Sequence, residues 1–131
     1  MAVSLSEGVR KLFEGRNFAH IATLMPDGSP QVTAVWVEYD GRHILVNSAE
    51  GRAKPRNVRH DARVALSIVD QENPYTSATV RGRVVEITHD GADAHIDKLA
   101  KKYLGQDTYP YRQPGEQRVI FKIEPEHATG P

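Results

Sequence analysis

Arg52, Lys54 and Arg56 stand at alternate positions in the stretch Ser48-Ala49-Glu50-Gly51-Arg52-Ala53-Lys54-Pro55-Arg56-Asn57-Val58, the strongest chemical signal in the chain. Three cations about 6 Å apart repel by roughly 0.7 kcal/mol per pair even in water. Pro55 reads as the first residue of a short helix, because the N–H it lacks would have no intrahelical partner there. Lys54 then becomes the N-cap, a role lysine fills poorly, and the N–H groups of Arg56 and Asn57 are left without an acceptor. A bound phosphate would answer both the repulsion and the free N–H groups. A solvated basic turn is the competing reading.

Other chemistries find little support. His20, His43, His60, His89, His95 and His127 are scattered, and none has a second ligand at metal spacing, so no metal site is expected. Ser48 and Ser67 lack the strand-to-helix elbow of a hydrolase nucleophile. There is neither a glycine-rich dinucleotide fingerprint nor a P-loop. No catalytic side chain is identified, and an enzyme built this way would leave the hard chemistry to an organic cofactor.

Composition narrows the setting. The chain of 131 residues is long enough for one domain, 1–131, that buries ~68% of its unfolded surface. It has no cysteine, hence no disulfide framework or thiolate metal site. The 17 basic and 17 acidic residues balance, which argues against a general nucleic-acid binder. Locally, Arg52, Lys54, Arg56, Arg59 and Arg63 face only Asp61 between positions 52 and 63, a patch suited to a small anion. Residues 1–7 lack the basic region and apolar run of a signal peptide, so none is expected, and no window approaches the ~20 apolar residues of a membrane span. A soluble cytoplasmic protein with no membrane partner is expected.

The elements that would position the basic stretch are mostly strands. A helix within residues 1–15 opens the chain, with Ser4 and Glu7 at capping-box spacing and Leu5, Val9, Leu12 and Phe13 on one face. Strands follow from Phe18 to Met25, Pro30 to Tyr39 and Arg42 to Asn47, joined by turns at Pro26-Asp27-Gly28-Ser29 and Asp40-Gly41. Beyond the basic loop come strands from Arg63 to Val69 and Tyr75 to Thr88, the latter with Gly82 as a bulge or bend. A helix from Gly91 to Leu104 packs Ile96, Leu99, Ala100, Tyr103 and Leu104 on one face. The loop Gln106 to Glu116 carries Tyr109-Pro110-Tyr111-Arg112, which would suit a substrate lid or ordinary packing. A last strand spans Gln117 to Ile123, and a loose tail is expected over 124–131. Six mostly antiparallel strands with short flanking helices predict a mainly β fold closed as a small barrel.

The ordered set carries a family resemblance. Ala22-Thr23, Asp27-Gly28, Gln31-Val32-Thr33-Ala34-Val35-Trp36, Asp40-Gly41, Asn47-Ser48, Arg52-x-Lys54-x-Arg56-Asn57-Val58 and Asp61-x-Arg63-Val64-Ala65-Leu66 follow one another in the chain. From Leu12 to Ile123 this resembles the pyridoxamine-phosphate-oxidase-like FMN-binding split-barrel proteins, and most of all their actinobacterial branch that uses the deazaflavin F420. The resemblance implies a homodimer of six-stranded antiparallel split barrels with cofactors at the subunit interface. It places Asn47, Ser48, Arg52, Lys54, Arg56 and Asn57 around the cofactor phosphate. Gln31, Thr33, Val35 and Trp36 correspond to the strand beside the ring, and Gln71, Tyr75 and Arg118 to positions reaching over from the partner subunit. Trp36 stays open between core, interface and cofactor wall, and Arg118 between that role and a plain surface strand position. The additional basic and aromatic residues that hold the substrate in vitamin-B6 oxidases are not found here.

The reading that follows is an F420-dependent oxidoreductase. It would pass hydride from a reduced deazaflavin to an electron-poor double bond of a small organic substrate. An FMN-dependent oxidase or reductase on the same scaffold is the nearest alternative. A non-catalytic carrier of a flavin, deazaflavin or haem-like ligand is the alternative from another class.

Overall fold

Apolar and polar residues alternate along most of the strands, so one side of each strand joins a common core. A computed structural model describes all 131 residues. In chain order the elements are α1 (Glu7–Glu14), β1 (Ala19–Leu24), β2 (Pro30–Val35), β3 (Val37–Tyr39), β4 (Ile44–Ala49), α2 (Ala53–His60), β5 (Arg63–Val69), β6 (Ser77–Thr88), α3 (Ala92–Leu104) and β7 (Arg118–Thr129). The sheet runs β2-β1-β5-β6-β7-β4-β3, with every neighbouring pair antiparallel. Its two edges, β2 and β3, are consecutive in the chain and separated by Trp36 alone. The sheet therefore curls until its ends meet, as a split barrel.

The expected strand from Pro30 to Tyr39 is thus two strands, which makes seven where six were expected. Its first part pairs with β1 and its second with β4. The chain must leave one partner and join another at Trp36, a choice made by partners distant in sequence. Inside the barrel Ile21, Val37, Ile44, Val46, Leu66, Ile68, Val80, Val119, Phe121 and Ile123 are almost fully buried. Each large apolar side chain so buried contributes on the order of 1.5–3 kcal/mol. Helix α1 adds Val9, Leu12 and Phe13 to the same core. Helix α3 packs outside the barrel, with Ala92 against Leu45 and Ile120, and with Ile96, Leu99 and Tyr103 forming a second apolar layer.

Gly82 sits where a bend was expected. The register of β6 against β7 shifts between Arg81 and Gly82, and a Cβ there would lie 2.1 Å from Glu124 O. Only glycine lets the two backbones approach so closely.

Three boundaries differ from expectation. The N-cap of α1 is Ser6 rather than Ser4: its Oγ accepts from Val9 N at 3.3 Å and donates to Pro131 O at 2.7 Å. That second partner lies at the far end of the chain. The tail is not loose, because β7 continues through Thr129 and pairs with β6 as far as Thr79. Helix α2 begins at Ala53, so its N-cap is Arg52 and Pro55 is its third residue. None of the first three helical N–H groups has an intrahelical partner, so proline fits at the third position as well as at the first. No helix is long and apolar enough to cross a membrane.

Candidate functional site: a cationic cleft beside an aromatic stack

Four elements converge on one cleft. β2 delivers Val35 and the break at Trp36, β4 delivers Asn47, the start of α2 delivers Arg52 and Lys54, and β7 opens with Arg118. Pairing of Ala49 with Arg118 brings the ends of β4 and β7 together. Helix α3, through Ile96 and Leu99, and the following loop, through Tyr109 and Tyr111, close the other side. The cleft is open to solvent and holds about 220 Å³.

One end of the cleft is cationic. Burial, then the charges of Arg52 and Arg118, hold the Lys54 ammonium below its ordinary pKa. No carboxylate pairs with Lys54. Arg118 is only 4% exposed, and its Nε donates to Asn47 Oδ1 at 2.8 Å. Glu116 accepts from Arg118 Nη1 at 3.1 Å and lies 4.0 Å from Arg52. One carboxylate thus answers three cations. As expected, the start of α2 has no side-chain cap. Its free N–H groups belong to Ala53 and Lys54, since Pro55 has none. A half-buried ammonium without a counter-charge, set among arginines, fits the phosphate of a flavin or deazaflavin nucleotide.

The other end is aromatic and held firmly. Trp36 lies flat on Tyr103, with centroids 5.3 Å apart and ring planes at 5°. Tyr103 also stacks on Phe18 at 5.6 Å, and Tyr109 meets Trp36 edge-on at 6.0 Å. The Tyr103 hydroxyl accepts from Val37 N at 3.2 Å and donates to Asn17 O at 2.6 Å. The stack is thereby tied to the backbone on both sides of the break in the barrel. Asp97 fixes the covering loop, accepting from Tyr109 N at 2.8 Å and Arg112 Nη2 at 2.7 Å.

The expected site residues divide into groups. Val35, Trp36, Asn47, Arg52, Lys54 and Arg118 line the cleft. Arg118 is no surface strand residue, because Asn47 and Glu116 hold it inside its own subunit's cleft. Gln31, Thr33, Ser48 and Asn57 instead belong to the interior side of the barrel. Asn57 is fully buried, and its Nδ2 donates to Thr23 Oγ1 at 3.1 Å and Gln31 Oε1 at 3.3 Å. Asn57 Oδ1, Ser48 Oγ and Thr33 Oγ1 are buried without partners. Arg56 is exposed in a separate groove with Glu50 and Arg59. Gln71 and Tyr75 lie in the exposed β5–β6 loop; Gln71 N donates to Asn17 Oδ1 at 2.9 Å, and Tyr75 is 96% exposed. Neither lines the cleft of its own chain. Phe18, Ile96 and Leu99 line it although sequence reasoning had not placed them there. Ile96 and Leu99 gave only the signal of a buried helix face, while the Tyr109–Arg112 loop, read as a lid or as ordinary packing, contributes Tyr109 and Tyr111 to the lining.

Comparison with known proteins agrees with this architecture. The family model described as pyridoxamine 5'-phosphate oxidase matches residues 5–130. A solved structure named F420 reductase superposes with a TM-score of 0.84 at 35% identity, covering 95% of this chain and 98% of its own. A protein named as a putative pyridoxamine 5'-phosphate oxidase, from a Lactobacillus delbrueckii subspecies, superposes with a TM-score of 0.68 at 21% identity, covering 97% of this chain and 94% of its own. HupZ from Group A Streptococcus gives a TM-score of 0.69 at 19% identity, with coverage of 96% and 93%. The last two likenesses concern the fold alone. With nearly its whole length matched, the chain belongs to the pyridoxamine 5'-phosphate oxidase family.

Proposed function

We propose that the protein is an F420-dependent oxidoreductase that reduces an electron-poor double bond of a small organic substrate. The observation that carries this reading is the cleft, with Arg52, Lys54 and Arg118 under-neutralised at one end and the Trp36–Tyr103 stack at the other. The 35% identity to an F420 reductase favours a deazaflavin over FMN. When bound, the reduced deazaflavin supplies the hydride. Lys54, Arg52 and Arg118 hold its phosphate, while Trp36, backed by Tyr103, gives the ring a flat apolar wall. Tyr109 and Tyr111 exclude water from the side of α3. No carboxylic acid or histidine of this chain lines the cleft, so its own proton sources there are the hydroxyls of Tyr109 and Tyr111, the Lys54 ammonium and solvent.

The 220 Å³ of this open cleft falls short of the ~300–1,000 Å³ usual for ligand sites. The missing wall would come from a second copy of the chain in a homodimer, with Gln71 and Tyr75 as contributors. Parallel titration with F420 and FMN tests the reading. Tighter binding of F420, with turnover of an enone by reduced F420, is the expected result. A yellow preparation retaining FMN would establish the FMN enzyme instead. Binding without turnover of any enone or quinone would leave a carrier.

A further inference from the structure

Arg118 does not hold its pose alone. Its Nε donates to Asn47 Oδ1 at 2.8 Å, while Asn47 Nδ2 donates to Ala92 O at 2.9 Å and meets His95 Nδ1 at 3.1 Å. Two of these partners settle the orientation of the carboxamide. A carbonyl oxygen only accepts, so the amide NH2 faces Ala92; an arginine N–H only donates, so the amide oxygen faces Arg118. His95 Nδ1 must then accept, and the ring carries its proton on Nε2. That nitrogen faces Glu38 Oε1 at 3.3 Å, out of line for a full hydrogen bond. The His95 side chain is 6% exposed, so water cannot take over these contacts cheaply.

We propose that His95 is a positioning residue for the anion site: its singly protonated ring locks Asn47, and Asn47 aims Arg118 at the phosphate of the bound cofactor. The inference rests on the cleft being that phosphate site. A second proton, on Nδ1, would set an N–H against the NH2 of Asn47. Turning the amide over gives no relief, because its oxygen would then face Ala92 O and its NH2 would face Arg118 Nε. Protonated His95 therefore forces Asn47 to release a partner, and Arg118 loses its aim. The charged groups around the ring are Glu38 from β3, Lys98 from α3 and, beyond Asn47, Arg118 from β7. Glu38, held near about 2 by His95 and also by Lys98, stays ionised throughout the range where histidine changes charge.

The test is calorimetric titration of the purified protein with F420 and with the phosphate-free deazariboflavin core, at about pH 7.5 and about pH 5.5. If FMN is the nucleotide the protein binds, FMN and riboflavin serve, and the readout is the difference in pH profile between wild type and H95N, because the FMN phosphate itself gains a proton near pH ~6. For wild type, affinity for the phosphorylated ligand should fall about tenfold on acidification, with little change for the phosphate-free one. H95N keeps an acceptor near the Nδ1 position and does not titrate. It should bind like wild type at the higher pH and lose the pH dependence. His95→Leu should bind weakly at both. An unchanged pH profile in H95N, or a phosphate-free ligand that follows the same profile, would overturn the inference and leave the proposed function standing. Failure of wild type to bind either nucleotide at the higher pH would overturn both.

Discussion

Replacing Lys54 by methionine should move stability and affinity in opposite directions. The substitution keeps most of the buried aliphatic stem and removes only the charge. In the ligand-free protein that charge is a burden: burial, Arg52 and Arg118 all disfavour it, and no carboxylate pairs with it. At ~6 Å in high dielectric each neighbouring cation costs roughly 0.7 kcal/mol, and salt screens part of this. The ligand-free variant should therefore gain about 0.5–1 kcal/mol in urea unfolding, less at high salt. The bound phosphate would lose one charge-assisted hydrogen bond, worth about 1.5–3 kcal/mol, so affinity for F420 should fall about 10- to 100-fold. Urea melts and calorimetric titrations on the same preparations give both numbers. A variant that loses 1 kcal/mol or more and binds F420 unchanged would show that Lys54 serves the fold and that the anion site lies elsewhere.

Two further outcomes follow from the frame around the cleft. Tyr103→Phe keeps the rings stacked but strands Val37 N and Asn17 O, both buried, so urea unfolding should show a loss of about 2–4 kcal/mol. A loss below about 1 kcal/mol would mean that these groups find other partners. Lys102 donates to Phe13 O at 2.8 Å and Val37 O at 2.7 Å, and burial pulls its pKa down to about 8 from the ordinary 10.5. Between those values the unfolded chain binds more protons than the folded one, so stability should rise with pH from about 8 to 10.5. Lys102→Met should flatten that rise in melts taken across the range.

Local chemistry is legible in the sequence wherever the partners are near neighbours. The turn at Asp27 is held by its own carboxylate, which accepts from Ser29 N at 2.9 Å, and Asp40 accepts from Arg42 N at 2.9 Å. The spans of β5 and α3 follow from apolar periodicity, and the alternate cations Arg52, Lys54 and Arg56 at the start of α2 mark a candidate anion site or a solvated basic turn by their spacing. The Trp36 break, the ordered β7 tail and the burial of Arg118 are of another kind. Each depends on a partner far along the chain: β1 and β4 for the break, β6 for the tail, Asn47 for the arginine. Gln31, Thr33, Ser48 and Asn57 show the same limit, since alternation assigns them to one side of a strand or helix but not to barrel or cleft. Turn chemistry, periodicity and charge spacing act within a few residues, so a mainly β chain with a concentrated basic loop can be read from the order of residues. Which cations share a cleft, and how each is oriented, is a property of the fold, because the buried Arg118 guanidinium takes its direction from an acceptor brought to it across 71 residues.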